Sequence, residues 1–411
     1  MSREEISRLL GSWEGYRVGA VERFEAGVKG PTAQVWIELV ALRRRRMRCS
    51  GCGRAVSKMH DHVERWIQDL PILDAQTHLL VWRRRVRCPR CGPKLEELPW
   101  LGRYSRVTRR LAQSVGRLCE ATSIKHAAGF FGLSWWAVKS IDKQYLREKL
   151  GPADLSGVTV IAMDEIAIHK GHSYATVIVE PHIKRVLWVG RGRSKASIRP
   201  FFQLLGKDGC QRLKAVAMDM NGAYETEVRA WCPQAEIVYD LFHVVAKYSR
   251  EVLDPVRRDE AQRVAGNQAE RKVIKGSRWL LLRNRRNIKR QKDRIRLDEL
   301  LAANRNLLKV YLLKDDLKHL WDYHYPKAAK RFWADWYRRA MQSGIEHLRR
   351  FARRLRPYVA GIVAHCRYRL HTSLLEGINN KIKVIKRMAY GFRDDEYFFL
   401  KIRAAFPGIP R

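Results

Sequence analysis

Three acidic residues stand out in a chain that is otherwise strongly basic. Asp164 follows the apolar run at 158–163 (VTVIAM), and Asp219 follows a near-copy at 213–218 (LKAVAM). Glu376 opens a helical segment that runs on to Arg387. Two carboxylates after equivalent strands and a third on a helix form a ligand set able to hold two Mg2+ ions against a phosphodiester. One ion activates water or a 3′-hydroxyl, and the other stabilises the leaving oxygen. In this scheme Asp164 bridges both ions, Asp219 completes one site and Glu376 the other. Glu165 follows Asp164 directly, so on a strand it points to the opposite face. Asp240 is a competitor for the second position, because Tyr239-Asp-Leu-Phe-His243 also follows a strand. Asp240 and His243 are assigned supporting roles, such as positioning the scissile strand. On the last helix Glu376, Asn380, Lys383 and Arg387 share one face, which places a metal-binding carboxylate beside groups suited to phosphate.

A second constellation is Cys49-Ser-Gly-Cys52 and Cys88-Pro-Arg-Cys91. Each CxxC pair follows a strand ending in arginines, which is the layout of a zinc ribbon with four thiolates around structural Zn2+. The intervening 35 residues exceed the common spacing, so a sheet must bring the two knuckles together. His60, His62 and His78 lie between them as alternative ligands. The other four of the eight cysteines are scattered, which fits reduced thiols in a cytoplasm rather than a secreted disulfide scaffold.

The elements that must position these residues can be read along the chain. Of 411 residues, 81 are Lys or Arg and 42 Asp or Glu, a net charge of +39. The isoelectric point is about 10.4. That field selects polyanions, and double-stranded DNA is the expected partner. The 46% hydrophobic content indicates a folded body of enzyme size. No apolar run approaches the roughly 20 residues that span a bilayer, so no membrane partner is expected. Strands are predicted at 15–24, 32–42 and 77–87. Helices are predicted at 107–118, 123–131 and 135–146, with a turn at Gly132-Leu133 and Ser134 as N-cap. This is a helix-turn-helix pattern, with Trp135, Lys139 and Lys143 directed at DNA.

After Gly151-Pro152 come strands at 158–168, 172–181 and 185–190. A helix at 197–205, a strand at 213–218, a helix at 224–231 and a strand at 235–239 follow. The order βββαβαβ predicts an RNase H-like mixed sheet whose first and fourth strands are parallel neighbours, with Asp164 and Asp219 level at one edge. From 246 to 370 the pattern is helical and basic, with 17 Lys and Arg among residues 247–296. Trp279, Trp321, Trp333 and Trp336 are interleaved, and the whole is read as an all-α insertion with a phosphate-tracking surface. The expected fold is therefore α/β with a large all-α insertion, preceded by a small β zinc-ribbon domain and a helix-turn-helix domain. The predicted boundaries are 1–103 for the ribbon, 104–150 for the helix-turn-helix and 151–245 for the first part of the core. The insertion covers 246–370, and 371–411 holds the C-terminal helices carrying Glu376.

Taken together these residues resemble the bacterial DDE transposases of the ISL-three group, over nearly the whole length. The resemblance is carried by Met163-Asp-Glu165, Met218-Asp-Met-Asn-Gly-Ala-Tyr224, Tyr239-Asp-Leu-Phe-His243, and Glu376-Gly-Ile-Asn-Asn-Lys-Ile-Lys383 with the segment 386–392 after it. It implies an insertion-sequence enzyme whose N-terminal domains bind terminal inverted repeats. It also implies Mg2+-dependent cleavage and strand transfer by Asp164, Asp219 and Glu376, within a synaptic homodimer or higher oligomer at the nucleoid. The Asp240-x-x-His243 spacing resembles a supporting pair in Mutator-like enzymes. The alternative is a transposase-derived DNA-binding regulator without catalysis.

Overall fold

The computed structural model describes residues 13–42, 45–169, 171–283, 285–370 and 373–409. The chain forms two compact units, Met1–Gly151 with Lys386–Ala405 and Pro152–Ile385 with Phe406–Arg411.

The first unit begins with β1 (Tyr16–Phe24) and β2 (Gln34–Ala41), then a two-stranded turn of β3 (Met47–Arg48) and β4 (Ala55–Val56). Two long strands follow, β5 (Met59–Ile72) and β6 (Ala75–Cys88), and then β7 (Gly92–Leu95). The sheet order is β1-β2-β6-β5, with β7 on the outer half of β6. Alternation in β2 and β6 buries Val35, Ile37, Leu39, Leu79 and Val81 in one apolar core. The other halves of β5 and β6 run past that core as a ribbon toward the cysteines. The sequence pattern predicts no strand at 59–72, because the stretch from Met59 to Trp66 is mostly exposed and lacks an apolar face.

Three helices complete the N-terminal part: α1 (Arg109–Ala121), α2 (Ile124–Phe131) and α3 (Trp135–Leu150). Thr108, Ser123 and Ser134 cap their N-termini through side-chain oxygens. Leu111, Val115, Ala127, Phe131 and Val138 form their shared core. Buried Asp69 at the end of β5 ties α1 to the sheet, accepting from Trp13 Nε1 at 2.9 Å, Thr108 Oγ1 at 2.5 Å and Arg110 Nε at 2.7 Å.

The helix Asp395–Ala405 also belongs to this unit, and here the structure departs from the predicted grouping of 371–411 with the core. Its Tyr397 donates to buried Asp142 of α3, and Lys401 lies 2.5 Å from the same carboxylate. Lys401 also donates to the carbonyl of Cys119 at 2.8 Å.

The second unit is built on β8 (Val160–His169), β9 (Ser173–Glu180), β10 (Arg185–Arg191), β11 (Ala215–Met218) and β12 (Glu236–Tyr239). Helix α4 (Lys195–Arg212) precedes β11, and α5 (Gly222–Trp231) precedes β12. The strand order is β10-β9-β8-β11-β12; β8, β11 and β12 are parallel, while β9 and β10 pair antiparallel. The mixed sheet thus puts β8 and β11 side by side, held by apolar runs that are buried on both faces.

After β12 the chain is helical. It passes through α6 (Leu241–Tyr248), α7 (Asp254–Arg263), α8 (Gln268–Gly276), α9 (Arg278–Leu282) and α10 (Gln291–Ala303). It continues through α11 (Arg305–His319), α12 (Pro326–Met341), α13 (Glu346–Leu355) and α14 (Val359–Val363) to α15 (Ser373–Met388). One core runs from Ile161, Met163 and Val216 on the sheet to Leu317, Trp336 and Phe351 in the helices, so the helical segment shares the core of the sheet. Trp333 and Trp336, expected on the phosphate-tracking surface, are buried. With Ala329 and Ala340 they form the inward stripe of α12, and Trp336 donates to the carbonyl of Leu313 at 2.8 Å. Trp279 is exposed.

Candidate active site

Ala217 of β11 is level with Ala162 of β8, and Asp219 and Asp164 each follow two residues further on. Asp164 is not at a strand end. β8 continues to His169 on β9, whereas β11 stops at Met218, and Asp164 stands where β8 outruns its neighbour. The Asp164 carboxylate accepts from the Glu165 N–H at 2.8 Å and from Asn379 Nδ2 of α15 at 2.7 Å. Asp219 is different: its Oδ1 is buried with no hydrogen-bond partner. Burial pushes both carboxyls above the ordinary carboxylate range. At Asp164 the Glu165 N–H, His243 and Asn379 oppose the rise, and Asp219 adds to it. At Asp219 His243 opposes it, while Glu165 and Asp240 reinforce it.

His243 lies between two carboxylates, its Nδ1 3.6 Å from Asp219 and its Nε2 3.7 Å from Asp240. Asp240 is buried and caps α6, accepting from the Phe242 N–H at 2.7 Å. Glu165 pairs with Arg193 at 3.3 Å, and its charge reaches Asp219 and Tyr224. Tyr224 is buried, with its hydroxyl 2.7 Å from Thr176 Oγ1.

Glu376 lies on the exposed side of α15, as do Asn380, Lys383 and Arg387, while Leu375, Ile378 and Ile382 are buried. Asp164, Asp219 and Glu376 are not gathered into a cluster within 4.8 Å, which among the described residues only the four cysteines achieve. Asn379 is a contact that the sequence pattern did not single out, although it follows Glu376 by three residues and so lies on the same side of the helix.

The thiols of Cys49, Cys52, Cys88 and Cys91 all lie within 4.8 Å of one another, and Cys52 Sγ is 3.7 Å from Cys88 Sγ. A tetrahedral zinc site with Zn–S of about 2.3 Å requires S···S of about 3.8 Å, so the donor set fits structural Zn2+. Gly53 and Gly92, each following a second cysteine, have φ of 72° and 69°, and a Cβ at either position would meet nothing within 4 Å. Glycine therefore serves the backbone turn itself and not a close approach. The histidines are elsewhere: His60 is 3.2 Å from Asp61, and His62 packs edge-on against Trp82. His78 is not part of the thiol cluster.

The predicted DNA contacts of the helix-turn-helix fare unequally. Lys139 and Lys143 each lie 3.0 Å from Asp394, and Lys143 is 2.9 Å from Glu396. Both side chains are about four-fifths covered, so they neutralise acids of their own unit rather than face solvent as expected. Trp135 is partly exposed and meets Trp136 edge-on.

Comparison with known proteins bears on all three regions. A zinc-finger profile of transposases IS204/IS1001/IS1096/IS1165 matches residues 40–91, and a profile for the helix-turn-helix domain of transposase family ISL3 matches 96–146. An ISL3 transposase profile matches 161–402, more than half of the chain. The chain belongs to the ISL3 family of transposases. It is 52% identical over the full length of both chains to the transposase for insertion sequence element IS1001 of Bordetella parapertussis. It is 26% identical to the transposase for IS1557 of Mycobacterium tuberculosis, over 85% of this chain and 83% of that one. For this transposase the four thiols are therefore a zinc-ribbon cluster, and its helix-turn-helix is a DNA-binding domain. Among the described residues no helix is long and apolar enough to cross a membrane.

Proposed function

We propose that this transposase binds the terminal inverted repeats of its insertion sequence and carries out Mg2+-dependent strand cleavage and strand transfer. The observation that carries the reading is that β8 and β11 are parallel neighbours, with Asp164 on one and Asp219 just past the end of the other, and α15 is fastened to Asp164 through Asn379. The unpartnered, buried Oδ1 of Asp219 and the burial of both carboxyls suit an oxygen-liganding cation. Asp164 and Asp219 would hold the ions together with Glu376, one helical turn and about 5–6 Å from Asn379. Bound Mg2+ supplies activation of the attacking hydroxyl and charge stabilisation at the leaving oxygen. Asn379 orients Asp164, and His243 steadies Asp219 from the side of Asp240. Asn380, Lys383 and Arg387 offer an amide and two cations along the exposed side of α15 for the DNA backbone. Two ends must be held at once, which calls for a homodimer or larger assembly on double-stranded DNA, at the bacterial nucleoid.

The test is cleavage of duplex DNA carrying the element's own ends, with Mg2+, by wild type, Asp219→Ala and Asp240→Ala. Activity lost in Asp219→Ala and retained in part by Asp240→Ala is expected. The reverse pattern would transfer the second ligand to Asp240. Tight end binding without cleavage by wild type would favour a regulator.

A further inference from the structure

We propose that the first unit grips the phosphate backbone of duplex DNA in a groove under the β5–β6 ribbon, and not through the lysines of α3. This rests on the reading that the transposase binds its element's ends, and it names the surface that does so. The groove has a volume of ≈ 1020 Å³ and is lined by β5, β6, β7 and the segment 101–106. Its cations are Arg65, Arg83, Arg85, Lys94, Arg103 and Arg106, against the acids Asp61 and Glu64. Arg85 is paired with Asp61. Arg65, Lys94, Arg103 and Arg106 have no acidic partner among the described residues. Six cations against two acids in one groove suit a polyanion.

Arg83 gives the second, independent indication. Strand alternation sends Arg84 out of the groove to buried Glu96, at 2.7 Å, while Arg83 turns toward the groove. Arg83 is 5% exposed, and its Nη1 is buried without a hydrogen-bond partner. A guanidinium held away from water with an unused donor is costly unless an anion completes it. A turn of the Arg83 side chain outward would bring that donor to a phosphate oxygen in the groove, in place of the nearby Glu96 charge. Tyr104, 78% exposed at the rim with the Arg103 guanidinium 5.1 Å from its ring, offers a flat face to a sugar or base. By contrast Lys139 and Lys143 of α3 are already neutralised by Asp394 and Glu396.

The experiment measures binding of the full-length, zinc-loaded transposase to a duplex carrying its element's ends, across a series of salt concentrations. The variant is Arg65→Gln/Arg103→Gln/Arg106→Gln, three exposed residues whose replacement leaves the core untouched. Each lost phosphate contact lowers the slope of log K against log salt by about 0.9. The triple variant is therefore expected to lose about 2.7 from the slope and to bind roughly a hundredfold more weakly at 0.15 M salt. Its thermal midpoint and zinc content should match wild type. A slope equal to that of wild type, in a wild type that binds, overturns the groove while leaving end binding intact. Failure of wild type itself to bind the duplex overturns both.

Discussion

Replacing Asp69 by alanine should cut the sheet of the first unit loose from its helices. The carboxylate is fully buried and accepts from Trp13, Thr108, Arg110 and the Leu70 N–H, the last at 2.8 Å. Burial opposes its charge, but the hydrogen bonds from Arg110 and Thr108 outweigh it and hold the carboxyl below the ordinary range. Arg110 is 36% exposed and can turn to water. Trp13 and Thr108 are 3% and 1% exposed and cannot. Removing one partner from a buried charged network costs about 3–5 kcal/mol, and the escape of Arg110 favours the lower end. At about 2–4 °C per kcal/mol for a unit of this size, the thermal midpoint should fall by roughly 6–20 °C. Asp69→Asn should do little better, since its amide presents donors to the donors of Trp13 and Arg110. Thermal denaturation of the full chain followed by circular dichroism reads the shift. A fall of less than about 2 °C in Asp69→Ala would refute the reasoning. The same network fixes a pH window: its contribution is complete above the ordinary carboxylate pKa and is lost as pH falls through the lowered native value.

Asn379→Ala should lower end cleavage by roughly 10–100-fold with DNA binding retained, the usual cost of losing a group that orients a metal ligand. An unchanged Mg2+ dependence of the cleavage rate would count against that role. Cys52→Ser should abolish one zinc per chain in metal analysis and expose the outer half of β5 and β6 to proteolysis, since structural zinc contributes on the order of 10 kcal/mol. Lys314 is wholly buried, donates to the carbonyls of Leu281 and Arg283, and is depressed by burial from 10.5 to about 8. Between those values the unfolded chain holds a proton that the folded chain has released, so stability rises with pH in this window. Relative to Lys314→Met, wild type should gain up to about 3 kcal/mol between pH 8 and 10.5 in denaturant titrations; a constant difference would exclude it.

The positions of Asp164 and Asp219 are legible because each follows a short, mostly apolar stretch ending in the same Ala-Met step, and a parallel pair buried on both faces leaves such stretches. The cysteine pairs are legible because the ligand spacing is local. What stays hidden in the sequence is non-local. The outer half of β5 is wet on most positions, so nothing in 59–66 alternates. The two lysines of α3 look free until Asp394 arrives, 251 residues after Lys143. Asn379 is hard to tell from Asn380, because adjacent asparagines on a helix differ only in which one meets the sheet. Trp333 and Trp336 resemble surface aromatics because the basic residues around them mask a buried stripe that includes Ala329 and Ala340.

The helix Asp395–Ala405 lies against α3, in a unit made of Met1–Gly151 and the late segment Lys386–Ala405. During synthesis the intervening residues emerge before this unit has its last piece, at some 5–20 residues per second. Until then Asp142 lacks Tyr397 and Lys401, and Lys139 and Lys143 lack Asp394. A ribosome that stalls between Pro152 and Ile385 therefore leaves a chain whose first unit lacks its last helix. Its DNA-binding unit is unfinished, and before residue 376 the carboxylate proposed as the third metal ligand is missing as well. In a truncated chain the buried Asp142 therefore has neither of the groups that meet it in the finished unit.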